Sequence, residues 1–374
     1  MAILTKNDIR AAMYLGLIEI EGLTDLNATS LDVRIEQLLT PAMERKDMKP
    51  VPLVNGEYWL VKPDDFFLYE TVERFRLAPG FHGQINSRSS WGRYGSASRE
   101  AHDEFANIRN DFFEGKVICR LNTLGTTVKI RPGDALAQAH LAYRGFEPVT
   151  DDELEYLIKK GLLEITRRGK RIDSLMQTHV VNGKPVIGRR GSKGRLMNGG
   201  FTLTHDPTIK VYTGKVIDPH QPDPECFYEK RLATRGSRIP QGTFFLSASA
   251  ESVKIDRNFV GWVHEWNHLL VTSGYHGPGI HPDEQPSVLQ THAAAPKIDP
   301  FPRFNGKITF ENFTIDDVEI RPGQRITELY LYRLNNPYFS EREEASRYKG
   351  QSQATSSRGH QDYLNEQLEL PFKK

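Results

Sequence analysis

Two stretches of the chain carry the same pattern: TKNDIRAAMYLGLIEI at residues 5–20 and TDDELEYLIKKGLLEI at residues 150–165. Each begins with a threonine that is followed three positions later by an acidic residue, as in a helical capping box. Apolar residues at helical spacing come next, and then a glycine where a helix would end, Gly16 or Gly161. Both stretches therefore predict a short helix, a glycine stop and an apolar strand.

The repetition continues downstream, which indicates a tandem duplication. Further landmarks recur in the same order: FFL at residues 66–68 and 244–246, a glycine at 83 and 261, and VKIRPG or VEIRPG at 128–133 and 318–323. Between them, short β-type runs are separated by Gly, Pro and Asn. We predict a mainly β protein with two β-barrel or sandwich domains, residues 1–148 and 149–338, each with a short N-terminal helix. A polar tail, residues 339–374, follows.

Composition narrows the class of protein. The chain has 374 residues, a net charge of +1 and only two cysteines. The balanced charge gives no reason to expect a nucleic acid polymer or an anionic membrane as a partner. No apolar run is long enough to span a bilayer, and no signal peptide is visible. With so few cysteines, a disulfide framework or a cysteine-built zinc site is not expected, and we predict a cytoplasmic protein.

The densest polar cluster is SRSSWGRYG at residues 87–95. Two arginines, neighbouring hydroxyls and glycines that admit a close approach suit a polyphosphate, because guanidinium groups pair with phosphate oxygens through two hydrogen bonds. An exposed basic loop would give the same pattern. The corresponding stretch of the second repeat, EWNHLL at residues 265–270, has neither arginine nor serine. A phosphate site in both halves is therefore not expected.

The second half has the opposite asymmetry. Glu311 lies five residues after Gly306 in an apolar run, whereas the first half has Arg120 five residues after Gly115. A carboxylate in an apolar strand is a candidate general acid or base, because burial moves carboxyl pKa values towards neutrality. A solvent-facing or ion-paired carboxylate is the alternative. One half thus has a candidate anion-binding motif and the other a candidate proton shuttle.

Taken in order, these motifs resemble the dCTP deaminases, relatives of the trimeric dUTPases, and in particular their double-length bacterial form. The matching segments are the opening helix with ATSLDVR at residues 28–34, RSSWGRYG at 88–95, HAAAPKID at 292–299, the strand at 306–311, and RYKGQ at 347–351. The chain departs from the family at Pro296 and Lys297, where a histidine or similar residue followed by arginine is usual.

The resemblance implies dUTPase-like barrels of the distorted jelly-roll type and hydrolysis of dCTP to dUTP and ammonia. It implies catalytic roles for Glu311, Ser89, Arg93 and the backbone carbonyl of Ala295. The implied nucleotide-binding residues are Arg88, Ser89, Ser90, Arg93, His292, Asp299, Arg347, Tyr348, Lys349 and Gln351. Mg²⁺ is expected with the triphosphate, and zinc is not, since H-x-E at residues 102–104 has no accompanying P-C-x-x-C. A homo-oligomer, with a trimer favoured, and dTTP as a possible feedback inhibitor are also implied.

Two other functions stay open. Asp299 could activate water towards phosphorus, so the chain could be a dUTP pyrophosphatase or combine both reactions. Duplication followed by loss of residues could instead have produced a catalytically silent nucleotide sensor. The basic segment 167–195 is interpreted as a solvated loop, with a phosphate-facing loop as the alternative.

Overall fold

The structure is a computed structural model. It describes residues 2–23, 26–42, 44–63, 65–101, 105, 112–144, 148–174, 180–181, 184–185, 200–221, 226–263, 289–291, 297–300, 304–314, 317–339 and 352–353. Within this part of the chain, no helix is both long and apolar enough to cross a bilayer.

The described residues of the first half, barrel 1, form ten strands and two helices. The strands are β1 (Ala2–Ile3), β2 (Ile18–Glu21), β3 (Leu31–Leu39), β4 (Trp59–Val61), β5 (Phe66–Leu77), β6 (Phe81–Ser87), β7 (Ser96–Glu100), β8 (Phe113–Thr123), β9 (Val128–Ile130) and β10 (Ala135–Tyr143). The helices are α1 (Lys6–Tyr14) and the short α2 (Ser89–Gly92), and a 3₁₀ turn spans Arg45–Asp47.

Barrel 1 is a closed ring. Six antiparallel strands follow one another in the order β10-β3-β5-β8-β7-β6, and β10 pairs again with β6 to complete the circle. Closure leaves the ring without a free sheet edge. The interior is filled by apolar side chains such as Tyr69, Phe75 and Leu121. The prediction of a dUTPase-like β-barrel is confirmed.

The second half, barrel 2, repeats this plan. It contains α3 (Asp151–Lys160), β11 (Leu163–Arg167), β12 (Lys170–Ile172), β13 (Val180–Val181), β14 (Lys184–Pro185), β15 (Gly200–Tyr212), β16 (Phe227–Arg231), β17 (Ser237–Ile239), β18 (Phe244–Ile255), β19 (Phe259–Val263), β20 (Leu289–Thr291), β21 (Lys297–Ile298), β22 (Gly306–Thr314), β23 (Val318–Ile320) and β24 (Arg325–Arg333). The order β19-β24-β15-β18-β22 matches β6-β10-β3-β5-β8 of barrel 1.

The predicted opening helices are present in both halves. Thr5 caps α1 through a full capping box: the backbone N–H of Thr5 donates to Asp8, and the backbone N–H of Asp8 donates to the Thr5 hydroxyl. Thr150 caps α3 through one bond of this kind, in which the backbone N–H of Glu153 donates to the Thr150 hydroxyl. Gly161 ends α3 with a φ of 71°, which glycine adopts at low cost.

The strand-pairing register shifts within β5 of barrel 1 and within β18 of barrel 2, and a buried glutamate lies at each of these irregularities. Glu73 of β5 and Glu251 of β18 both have fully buried side chains. Each accepts a backbone N–H from the neighbouring strand at 2.9 Å, from Arg34 in barrel 1 and from Thr204 in barrel 2. An arginine completes each pair, Arg34 at 2.8 Å from Glu73 and Arg167 at 2.5 Å from Glu251. The same arrangement of glutamate, backbone N–H and arginine in both barrels supports a tandem duplication independently of the sequence repeats.

The two barrels pack directly against each other. One apolar cluster joins Ala97 and Leu124 of barrel 1 to Phe244, Leu246 and Ala248 of barrel 2. A second joins Ile3 and Ala28 to residues of β19 and β24, among them Trp262 and Tyr332. The domain boundaries at residues 148 and 338 stay predictions.

Candidate functional site

The arginine–serine motif, residues 87–95, lies between β6 and β7. Trp91 anchors this turn in the core of barrel 1, where its side chain is 1% exposed. Its ring contacts that of Tyr94 edge-on, with 6.1 Å between the ring centroids. Gly95 has a φ of 80°, and a Cβ there would lie 2.7 Å from the Thr126 hydroxyl oxygen. Thr126 in turn donates to the carbonyl of Tyr94 at 2.7 Å. Glycine is therefore required at this turn.

The charged and hydroxyl side chains of the motif differ in their surroundings. Arg93 and Ser90 are buried, whereas Arg88 and Ser89 are partly exposed. The guanidinium of Arg88 pairs with the carboxylate of Asp32 at 3.2 Å. Asp32 also accepts hydrogen bonds from Asn27 and Gln138, so it is a fixed partner for Arg88. The motif thus presents two guanidinium groups and two hydroxyls from a rigid turn.

Glu311 lies in the middle of β22 and is 1% exposed. Its cross-strand partner is Leu246 of β18. Side chains alternate along a strand, so Leu246 and Phe313 lie on the same face as Glu311. Leu246 belongs to the cluster that includes Ala97, and Phe313 lies against Gly125 of barrel 1. Glu311 therefore stands on the face of barrel 2 that packs against barrel 1.

The strand register identifies the counterpart of Glu311 in barrel 1. Leu68 pairs with Arg120 across β5 and β8, as Leu246 pairs with Glu311 across β18 and β22. Arg120 donates to the backbone carbonyl of Ala101 at 3.0 Å. At this position barrel 1 therefore has a guanidinium bonded to its own backbone, where barrel 2 has a buried carboxylate.

The end of the HAAAPKID run also lies between the barrels. The ammonium group of Lys297 donates to the hydroxyls of Thr29 and Ser30 of barrel 1, both at 3.0 Å, and pairs with Asp299 at 3.1 Å. His140 accompanies them, with its Nδ1 3.2 Å from the Thr29 carbonyl oxygen. Burial, together with the charge of Lys297, lowers the pKa of His140 to about 3, so this imidazole is neutral at physiological pH.

The structure thus brings several predicted residues to the contact between the barrels and leaves others undescribed. Glu311 and Asp299 lie on the barrel 2 side of this contact, and the strand that follows the arginine–serine motif lies on the barrel 1 side. The predicted residues outside the described part of the chain are His292, Ala295, Arg347, Tyr348, Lys349 and Gln351. Thr29, Ser30 and Asp32 were not predicted as partners, although all three fall inside the ATSLDVR segment at residues 28–34.

A protein-family model matches the first half of the chain. A family model described as dCTP deaminase-like matches residues 3–143. Barrel 1 is similar to the dCTP deaminase-like domains. The resemblance predicted from the sequence is confirmed, while the double-length form stays a prediction.

Relatives and solved structures extend the likeness. The "dCTP deaminase, dUMP-forming" of Mycobacterium bovis (strain BCG / Pasteur 1173P2) is 26% identical over 151 residues, which cover 36% of this chain and 77% of that protein. The protein of the same name from Mycobacterium leprae (strain TN) matches with the same figures. The crystal structure of 2'-deoxycytidine 5'-triphosphate deaminase from Agrobacterium tumefaciens has a TM-score of 0.61 at 15% identity. It covers 89% of this chain and 99% of its own, so both barrels share its fold.

Proposed function

We propose that this chain hydrolyses dCTP to dUTP and ammonia without zinc, at a site shared by the two barrels. One observation carries the proposal: the buried carboxylate of Glu311 stands on the barrel 2 face that packs against Ala97 and Leu124 of barrel 1. Ala97 lies two residues after the arginine–serine motif. A buried acid and a polyphosphate-binding motif on either side of one contact suit a nucleoside triphosphate with a reactive base.

The triphosphate is assigned to the arginine–serine motif. Arg88 and Arg93 would pair with phosphate oxygens, and the hydroxyls of Ser89 and Ser90 would donate to the remaining acceptors. Asp32 already orients Arg88 at 3.2 Å, which reduces the entropy lost when the arginine binds an anion. Beyond the described residues, the tail would close over the nucleotide through Arg347, Tyr348, Lys349 and Gln351.

The base is assigned to barrel 2. Glu311 would take a proton from water as the water oxygen attacks C4, and would deliver that proton to N3. The proton of the new C4 hydroxyl would then pass to the amino group, the C4–N bond would break, and ammonia would leave with a C4 carbonyl in place. The carbonyl of Ala295 would hold the water, Ser89 and Arg93 would stabilise the developing charge, and His292 and Asp299 would line the pocket.

Mg²⁺ is expected to arrive with the triphosphate. Among the described residues, no group of three or more histidine, cysteine, aspartate or glutamate side chains is placed to hold a metal ion. The donors at the motif are cationic or neutral and suit phosphate oxygens. The bound metal would supply charge neutralisation at the phosphates.

A second product is favoured by the relatives, which are named as dUMP-forming. In that case the chain would also cleave the triphosphate to dUMP and pyrophosphate. Asp299 is the candidate for activating the second water, and it is held 3.1 Å from Lys297. Deamination alone and deamination followed by cleavage are separated by their products.

Regulation and assembly are further proposals. We expect inhibition by dTTP, because its triphosphate would compete with that of dCTP for the arginine–serine motif. We also expect a homo-oligomer, with a trimer of chains favoured. Inhibition kinetics with dTTP and the mass of the protein by sedimentation test these two points.

The decisive experiment is to treat the purified protein with a chelator, add Mg²⁺ and dCTP, and resolve the products by ion-exchange chromatography. Release of ammonia with dUTP supports deamination, and dUMP with pyrophosphate supports the two-step reaction. Glu311→Gln should abolish ammonia release, while the control Glu319→Gln, an exposed carboxylate of barrel 2, should retain it. Binding of dCTP without turnover in the wild type would instead favour a nucleotide sensor.

A further inference from the structure

We infer that the site shared by the two barrels is assembled within a single chain, and that a clasp, residues 213–221 of barrel 2, holds it together. The inference rests on the proposed function for its mixing and kinetic experiments, and the disulfide experiment is independent of that function. The clasp itself is defined by contacts between the barrels.

Ile217 anchors the clasp in barrel 1. The backbone N–H of Ile217 donates to the carbonyl of Thr127 at 2.8 Å, and the N–H of Lys129 donates to the carbonyl of Ile217 at 2.9 Å. This parallel bridge adds the clasp to the edge of β9, next to Val128. The Ile217 side chain is fully buried in the core of barrel 1 although it belongs to barrel 2 by sequence.

Charged groups fasten the clasp on both sides of this anchor. Asp218 accepts two hydrogen bonds from the guanidinium of Arg131, at 2.7 and 2.9 Å, and lies 3.6 Å from Lys129. The imidazole of His220 lies 2.7 Å from the carboxylate of Asp134, which is itself buried. A bidentate pair of this kind specifies geometry as well as adding free energy.

Among the residues that the structure describes, barrel 1 has no equivalent clasp. Leu39 and Lys210 occupy the same register position, since they pair with Leu68 and Leu246. In barrel 1 the loop between paired strands, from Leu39 to Pro50, contains residues 40–49. In barrel 2 the segment between the paired residues Lys210 and Glu229 contains residues 211–228, with the ends of β15 and β16 included, and is eight residues longer. The additional length is what reaches the neighbouring barrel.

The clasp holds the segment of barrel 1 that supports the arginine–serine motif. That segment runs from Leu124 to Arg131. The N–H of Leu124 donates to the carbonyl of Gly95 at 2.7 Å, and Thr126 bonds to Tyr94. Leu124 also packs in the cluster with Leu246, the cross-strand partner of Glu311. Fastening this segment therefore fixes the motif relative to Glu311.

The connection between the barrels is short enough to keep them adjacent. Tyr143 ends the last strand of barrel 1, and Pro148 already pairs with Tyr332 of barrel 2. Tyr143 and Pro148 are five residues apart in sequence, which span at most about 18 Å when fully extended. The barrel that follows in the chain is thus the one positioned to complete the site, and we expect each chain to contain one complete site.

A mixing experiment tests this assembly. Glu311→Gln chains and Arg93→Ala chains are co-expressed with different tags, and hetero-oligomers are isolated on both tags. Assembly within one chain predicts that they are as inactive as each parent, because no chain has both groups. Recovery of dCTP deamination in these hetero-oligomers would overturn the inference.

A matched control uses wild-type chains with chains that carry both substitutions. Activity per wild-type chain should be unchanged in this mixture, and a loss would contradict assembly within one chain. If the protein is a monomer and no hetero-oligomer forms, activity of the lone chain supports the inference directly.

Disulfide formation between the barrels tests the inference without measuring activity. Its result therefore distinguishes a failure of the inference from a failure of the proposed function. Bridge partners lie close enough for a disulfide, so Val128→Cys/Ile217→Cys should oxidise within one chain. The product should keep the monomer mass on a non-reducing gel, with the two single variants as controls. A band of dimer mass would place the clasp between chains, and absence of any bond would contradict the contact.

A kinetic arm tests the positioning role of the clasp. Asp218→Asn removes the charge that holds Arg131, and kcat/KM for dCTP should fall about tenfold, mainly through kcat, as expected for a loss near 1.4 kcal/mol. Oxidised Val128→Cys/Ile217→Cys/Asp218→Asn should recover most of this loss, because the disulfide restores the contact. An unchanged kcat/KM for Asp218→Asn, or no recovery on oxidation, would refute the positioning role, and Glu319→Gln serves as the matched control.

Discussion

The two barrels share a framework and differ in their chemistry. The buried glutamates Glu73 and Glu251 occupy the same irregularity and accept the same backbone hydrogen bond. At the register position of Glu311, however, barrel 1 has Arg120, which donates to the backbone carbonyl of Ala101. Both halves thus share the fold, and in the proposed function each half contributes one part of the site. Phosphate binding is assigned to barrel 1 and proton transfer to barrel 2.

The largest expected difference is in kcat, between substitutions of Glu311 and of Arg120, its counterpart in barrel 1. Glu311→Gln should lower kcat for dCTP by about 10²- to 10⁴-fold, since that is the usual contribution of a general acid or base. Arg120→Gln should leave kcat within about twofold, because this guanidinium bonds to the backbone carbonyl of Ala101 within barrel 1. Steady-state ammonia release measures both, and equal losses in the two variants would contradict the division between barrels.

Substitution of the buried glutamate should reduce the stability of the protein by a similar amount in either barrel. Glu73→Ala and Glu251→Ala each remove a buried carboxylate that pairs with a partly exposed arginine and accepts a backbone N–H. Each should reduce the free energy of unfolding by about 3–5 kcal/mol. Denaturant titration followed by tryptophan fluorescence measures this loss. A large effect in only one barrel would show that the two irregularities are not equivalent.

The interface should distinguish two phenylalanines at the same register position. Phe244 is 1% exposed in the contact between barrels, whereas Phe66 is 48% exposed. Phe244→Ala should cost about 3–4 kcal/mol of stability, as for other buried phenylalanines. Phe66→Ala should change stability by no more than about 0.5 kcal/mol. Thermal unfolding of the pair tests this, and similar losses would mean that Phe66 is covered in solution.

The smallest expected effect concerns pH at the clasp. Burial by itself would raise the pKa of Asp218, but hydrogen bonds from Arg131 and the His220 N–H, with the charges of Arg131 and Lys129, hold it below its usual value. A carboxyl group with a lowered pKa in the folded state stabilises fully above its unfolded value, and this contribution is lost as pH falls through the folded value. At pH 7, Asp218→Asn should therefore cost about 1–3 kcal/mol.

Below about pH 4 the difference between the wild type and Asp218→Asn should shrink, since the wild-type carboxylate becomes protonated. Thermal unfolding at both pH values measures the change. A difference that stays constant with pH would show that the charge of Asp218 contributes nothing to the clasp.

Much of the framework could be predicted from the sequence, because local patterns encode it. The capped helices at Thr5 and Thr150 and the strand around Glu311 follow from short-range spacing. The contacts between barrels could not be predicted in this way. Ile217 lies in a loop without periodicity, and only the folded chain brings it to Val128. Lys297 pairs with Thr29, far away in sequence, so no local signal reported that contact.

The most direct measurement of the central claim compares equilibrium binding and turnover of dCTP in two variants. Calorimetry and ammonia release would be run on Glu311→Gln and on Arg93→Ala, with thermal unfolding confirming that both are folded. We expect that Glu311→Gln binds dCTP as the wild type does but does not turn it over, and that Arg93→Ala loses binding. Turnover of dCTP by Glu311→Gln at the wild-type rate would contradict this expectation.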